Sequence, residues 1–213
     1  MDLASIKNRP ESRKWPAELI EGARGILETD PLFYRIPRAD VNDLLGLSLD
    51  AGYLQAVKIL DRFRSPDPLK IAQKLDLRII FDITTRGYRR AFNALSSYVP
   101  SPPTIVIYEN TLQLFRESLD DDKRMKREFA VKLTNVCVAH ELYHHLEHEN
   151  FNFVNLIYKI PILDFGFLKV ERTPGTLSEI AANSFAKKLM GLSFFPTVIH
   201  GSLYESEGRE SER

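Results

Sequence analysis

The sequence predicts an α+β fold: a small sheet packed on a helical core, preceded by an extra helical region. Three observations carry this expectation. Lys126 to Glu149 contains no proline or glycine and bears an apolar stripe, so it reads as one long helix. TLSEIAANSFAKKLM, residues 176–190, is a second amphipathic stretch bounded by the turn residues Thr173-Pro174-Gly175 and by Gly191. Two short β-branched runs, Leu77 to Ile83 and Thr104 to Tyr108, precede both.

Taken in order, residues 1 to about 64 read as helical, with one helix across Ala17 to Leu27 and another across Leu49 to Phe63, joined by the proline-punctuated DPLFYRIPRAD. Within DVNDLLGLSLDAGYLQAV a glycine turn at Gly46 and a cap at Ser48 give a faint helix-turn-helix pattern. The would-be recognition helix starts Leu49-Asp50-Ala51-Gly52, with no basic or amide side chain for phosphates or base edges. A helical hairpin packed on the rest of the chain is therefore the better expectation.

From Ser65 to Asn110 the pattern shifts to a short helix over Asp67 to Leu75 and the two strands, the second following the turn residues Ser101-Pro102-Pro103. A small sheet results, and an edge strand at residues 104–108 could hold an extended peptide by adding it as a further strand. The connection from Glu149 to Ser178 carries Phe151, Phe153, Leu156, Ile157, Tyr158, Ile160, Ile162, Phe165 and Phe167. Such a greasy connection reads either as a wall or lid over a cleft or as a hairpin that completes the core, the latter being favoured. The organisation expected is thus a helical region at 1–64, a main domain at 65–200, and a polar tail at 201–213 with too little apolar content to fold.

Chemistry concentrates in His140-Glu141-Leu142-Tyr143-His144. Residues four apart on a helix differ by only about 40° in angle and ~6 Å along the axis, so the rings of His140 and His144 can converge on one ion. Glu141 then stands beside the ion as a general base and not on it. Phe129, Leu133 and Val136 lead into His140 at spacings of four, three and four, which places the pair at the wall of the core.

A third ligand is needed. His148 is about 12 Å along the axis from His140, too far for bonds near 2 Å to bridge. The metzincin pattern would need glycine at position 147 and histidine at position 150, where Glu147 and Asn150 stand. Glu179 remains, and it would complete a His-His-Glu set with one coordination position open. Asn183, one turn further on, could accept the outer N–H of a ligating histidine, most naturally His140. Thr176 and Glu179 also fit a capping box, in which the carboxylate would turn back to the helix start instead.

HELYH followed by EIAANSFAKKLMGLSFFP resembles the ImmA/IrrE metallopeptidases, whose pattern is HExxH and then a glutamate in E-x-x-A-N/D-x-F-A. Glu179, Ala182, Asn183, Phe185 and Ala186 fall on matching positions. DPLKIAQKLDLRIIFDI and TIVIYEN resemble that family's opening helix, first strand and the strand before the active-site helix, so the likeness spans roughly Asp67 to Pro196. Tyr143 and His145 depart from the usual small or apolar neighbours of the second histidine, and the connection between the motifs is long and aromatic. The resemblance implies a minimal gluzincin-like zinc endopeptidase. Zn2+ (Mn2+ being possible) would be held by His140, His144 and Glu179, with Glu141 as the base and Asn183 behind a ligand. It further implies a protein substrate such as a helix-turn-helix repressor. A non-cleaving, metal-dependent binding module or a toxin–antitoxin component is the alternative. Tyr88, Tyr158 and Arg172 are candidate donors to a developing oxyanion.

Composition excludes several classes. The 213 residues hold 29 basic and 29 acidic side chains, with no basic excess for a nucleic-acid surface. No apolar run approaches a membrane span and the first residues lack a secretory core, so a cytoplasmic location is expected. The single cysteine, Cys137, reads as a small packed residue.

Overall fold

The computed structural model describes residues 13–84, 94–118, 124–150, 154–165 and 169–196, with backbone alone at 117–118, 124–131 and 164. Six α-helices and two small sheets among the described residues make the fold a mixture of helix and strand. Helix α1 is Ala17–Glu28, and after a 3-10 turn at Phe33–Arg35 comes α2, Arg38–Phe63. The faint helix-turn-helix pattern does not form, and the helix expected from Leu49 starts at Arg38, because α2 runs unbroken through Gly46 and Ser48. Leu44, Leu45, Leu47, Leu49, Ala56 and Ile59 are all buried along it, and that burial outweighs the ~1 kcal/mol a mid-helix glycine costs.

Helix α3, Pro68–Lys74, begins where the sequence expects it: the Asp67 carboxylate accepts from the N–H groups of Leu69 and Lys70, and Pro68 stands where no amide hydrogen is needed. Strand β1, Arg78–Asp82, runs parallel to β3, Pro103–Tyr108, which pairs on its other side with antiparallel β2, Ser96–Pro100. The order β1-β3-β2 makes β3 the central strand, so the expected peptide edge at 104–108 is corrected. Both flanks of that strand are occupied, and the edge next to the long helix belongs to β2.

Helix α4 is Glu109–Ser118 and α5, Arg124–Asn150, carries the HELYH motif. Leu133, Val136, Cys137, Leu142 and Leu146 bury α5 between the sheet on one side and α6, Thr176–Met190, on the other. The side chain of Phe129, the first residue of the anticipated stripe, lies outside the described residues. A 3-10 turn, Val154–Ile157, leads into a hairpin of β4, Ile160–Asp164, and β5, Lys169–Arg172. Val154, Tyr158 and Ile160 join the core, whereas Leu156, Leu163 and Phe165 stay exposed, so the hairpin completes the core only at its base. Phe151, Phe153, Phe167, Tyr88 and the 201–213 tail are outside the described residues.

Helix α6 is held at both ends. At its start the capping box does not form; the buried Asp30 carboxylate accepts from the backbone N–H and hydroxyl of Thr176, at 3.2 and 3.0 Å, and so caps the helix from the far end of the chain. At its end Gly191 takes the left-handed conformation, φ 63°, and Lys187 donates to the carbonyls of Leu192 and Phe194. Against its middle lies α2, at a point where Gly52 touches the Ala181 backbone. The N-terminal helices thus share one apolar core with α5 and α6. No helix among the described residues is long and apolar enough to cross a membrane.

Candidate metal centre

A spacing of four residues, slightly more than one turn, brings His140 and His144 to one face of α5, and the approach of α6 sets Glu179 against them. The three side chains offer ligand atoms that all lie within 4.8 Å of one another. His140 Nε2 stands 3.0 Å from Glu179 Oε2, His144 Nε2 stands 3.2 Å from His140 Nε2, and 3.5 Å from Glu179 Oε1. Bonds of about 2.0–2.1 Å at tetrahedral angles would separate their ligand atoms by about 3.3 Å, which is the scale of this triangle.

Lone-pair bookkeeping explains why a cation fits. Asn183 Oδ1 lies 3.0 Å from His140 Nδ1, an arrangement in which the ring donates and is left with its lone pair on Nε2. His144 Nδ1 faces Glu147 Oε2 at 3.3 Å, and a carboxylate likewise calls for a donor, so its Nε2 also turns a lone pair inward. With both rings neutral, two imidazole lone pairs and a carboxylate converge at close range, and positive charge between them, a proton on His144 or a cation, removes the repulsion. His140 is 4% exposed, whereas the His144 and Glu179 side chains are partly exposed, so the cluster is closed behind His140 and open to solvent beyond it.

Protons respond to the same field. Burial disfavours a charged ring at His144, but the carboxylates of Glu147 and Glu179 outweigh it and hold its pKa up at about 10. A metal ion must displace that proton. Apparent zinc affinity is therefore expected to rise with pH, by up to about tenfold per unit, at pH values below about 10, and to level off above it. Competition titrations against a chelator at several pH values check this, and a flat profile between pH 7 and 9 would contradict it.

Around the triangle, the remaining candidates separate cleanly. Glu141 is buried beside it, and the Ser96 hydroxyl on β2 donates to its Oε1 at 2.7 Å. His148 stays out of the cluster, with its ring 6.2 Å from that of Tyr98. His145 faces the opposite way and pairs through Nδ1 with the Tyr98 hydroxyl at 3.0 Å. Tyr143 packs on Phe185, ring centroids 5.7 Å apart. Cys137 is fully enclosed, and burial pushes its thiol up to about 12, as suits a packed side chain and not a nucleophile. Tyr158 spends its hydroxyl on Asp40 at 3.3 Å, and Arg172 sits on the exposed hairpin strand.

Ser96 and Glu147 were not foreseen from the sequence. Ser96 belongs to a strand whose residues, SSYVP, lack an alternating apolar pattern. Glu147 reads as one more charge near the end of a polar helix, though its three-residue spacing from His144 does place it one turn on, over the same face. No protein-family model, curated protein or solved structure matches the chain.

Proposed function

We propose that the chain is a zinc-dependent endopeptidase that cuts a regulatory protein such as a helix-turn-helix repressor, with His140, His144 and Glu179 holding the metal and Glu141 acting as general base. The observation that carries this reading is the convergence of three ligand atoms from two helices, with a carboxylate one residue after the first histidine. A bound zinc ion would supply a Lewis acid that polarises the scissile carbonyl and brings the pKa of water down from about 15.7 towards about 7. Zinc suits the mixed nitrogen and oxygen donor set; Mn2+ is the other ion compatible with it.

The protein's own part is positional. Ser96 anchors one oxygen of Glu141, which leaves the other to take a proton from the attacking water and return it to the departing amine. Asn183 holds the His140 ring in the tautomer a ligand requires. The β2 edge lies nearest the site and offers main-chain groups to an extended segment.

The test is to incubate the protein with zinc or manganese and a candidate repressor, with and without a chelator, and to weigh the products by mass spectrometry. Discrete fragments that chelator abolishes support the peptidase. A stable complex of intact chains would instead favour a metal-dependent binding module or toxin–antitoxin component.

A further inference from the structure

We infer that Glu147, with Ser178, is a positioning pair that gives the metal centre an anionic backing on the His144 side. The inference rests on the zinc reading proposed above and concerns a residue outside the ligand set and the base.

Glu147 is 4% exposed, yet it is an acid. Its two oxygens face donors on opposite sides. Oε1 accepts from the backbone N–H of Val154 at 3.2 Å, while Oε2 accepts from the Ser178 hydroxyl in a very short bond and faces His144 Nδ1 at 3.3 Å. A carboxylate accepts on both oxygens at once, from the Val154 N–H and the Ser178 hydroxyl, whereas an amide offers one acceptor and would have to donate towards Ser178 or His144 instead. Burying a carboxylate is costly unless positive charge stands near it. Among the described residues no lysine or arginine makes an ion pair with Glu147; its ion-pair partner is the His144 ring. A divalent ion on Nε2 would put positive charge on the far side of the ring while Nδ1–H still faces Glu147.

The two histidines consequently receive unlike support. His140 is oriented by the neutral amide of Asn183, and His144 by a carboxylate, which makes the second imidazole the stronger electron donor. Ser178 adds a mechanical link. Standing immediately before Glu179 on α6, it binds Glu147 on α5, and its hydroxyl also lies 3.4 Å from His144 Nδ1. The bridge fixes the first turn of α6 where the third ligand leaves it, so the ligands from both helices are set by one contact.

Zinc affinity decides the matter, measured on the full chain by competition with a chelator, for wild type, Glu147→Gln and Ser178→Ala, alongside circular dichroism of the metal-free proteins. Glu147→Gln is expected to bind zinc about 10- to 100-fold more weakly with its helical signal retained, and to shift the visible spectrum of the cobalt-substituted protein. Ser178→Ala, which leaves the carboxylate in place but unanchored, is expected to lose a smaller part of the affinity. A purely structural pair would lower the melting temperature and leave zinc affinity and the cobalt spectrum at their wild-type values, which would overturn the inference. Should Glu147→Gln fail to fold, Ser178→Ala decides alone, and wild-type affinity in it counts against the pair. Wild-type protein that takes up no zinc would instead remove the metal centre itself, an outcome separate from these two.

Discussion

Glu141→Gln is expected to bind zinc like the wild type and to cleave substrate about a thousandfold more slowly, inside the 10²–10⁴ range typical of a general base. The reasoning starts from shape. Glutamine has nearly the volume of glutamate, and its carbonyl oxygen can still accept the Ser96 hydroxyl, so the packing of α5 against β2 is retained. The ligand triangle does not include Glu141, so metal stoichiometry should not change. What is lost is the proton site, since an amide cannot take a proton from water at neutral pH. Parallel zinc analysis and mass spectrometry of the cleavage products measure both halves of this expectation. Cleavage by the variant at a rate near wild type would remove Glu141 from the mechanism.

Gly52→Ala is the second large effect, and it acts far from any chemistry. A methyl group at Gly52 would lie 1.9 Å from the Ala181 carbonyl oxygen and 2.8 Å from the Phe185 amide nitrogen. Both neighbours are helix backbone, which cannot rotate aside as a side chain would. Helices α2 and α6 must therefore separate, and overpacking of this kind costs at least about 3 kcal/mol. For a chain of this size that corresponds to a fall in melting temperature of about 6–12 °C. Thermal denaturation followed by circular dichroism checks it. Because Ala181 lies two residues from Glu179, weaker zinc binding should accompany the lower midpoint. A melting temperature unchanged within a degree would mean that the two helices do not meet as closely as described.

Much of this architecture was legible in the residues, and the reasons differ by element. The α5 helix is readable because its stripe repeats at the helical period without interruption and its histidines continue that repeat. Asp67-Pro68 announces α3 because a carboxylate and a missing amide hydrogen are each useful at one defined place in a helix. Gly46 misled for an equally physical reason. Local preference marks it as a break, but Leu44, Leu45, Leu47 and Leu49 around it bury enough apolar surface on neighbouring elements to override that preference. At Glu179 the sequence allowed two partners, the helix start or the histidines. Asp30, 146 positions away from Thr176, settles the competition by taking over the cap, and no local pattern could have revealed so distant a partner. Ser96 and Glu147 share that difficulty, since their significance lies in what faces them and not in their spacing alone.

The cap that Asp30 places on α6 also bears on the order in which the molecule comes together. The surfaces that this helix docks on among the described residues, from α1 and α2 to the histidine-bearing α5, precede it in the chain and are already synthesised when it emerges. A nascent chain can hold both imidazoles for some time before the third donor exists. On the zinc reading proposed above, tight retention of an ion, and any activity that depends on it, would thus be deferred until α6 has been made and docked.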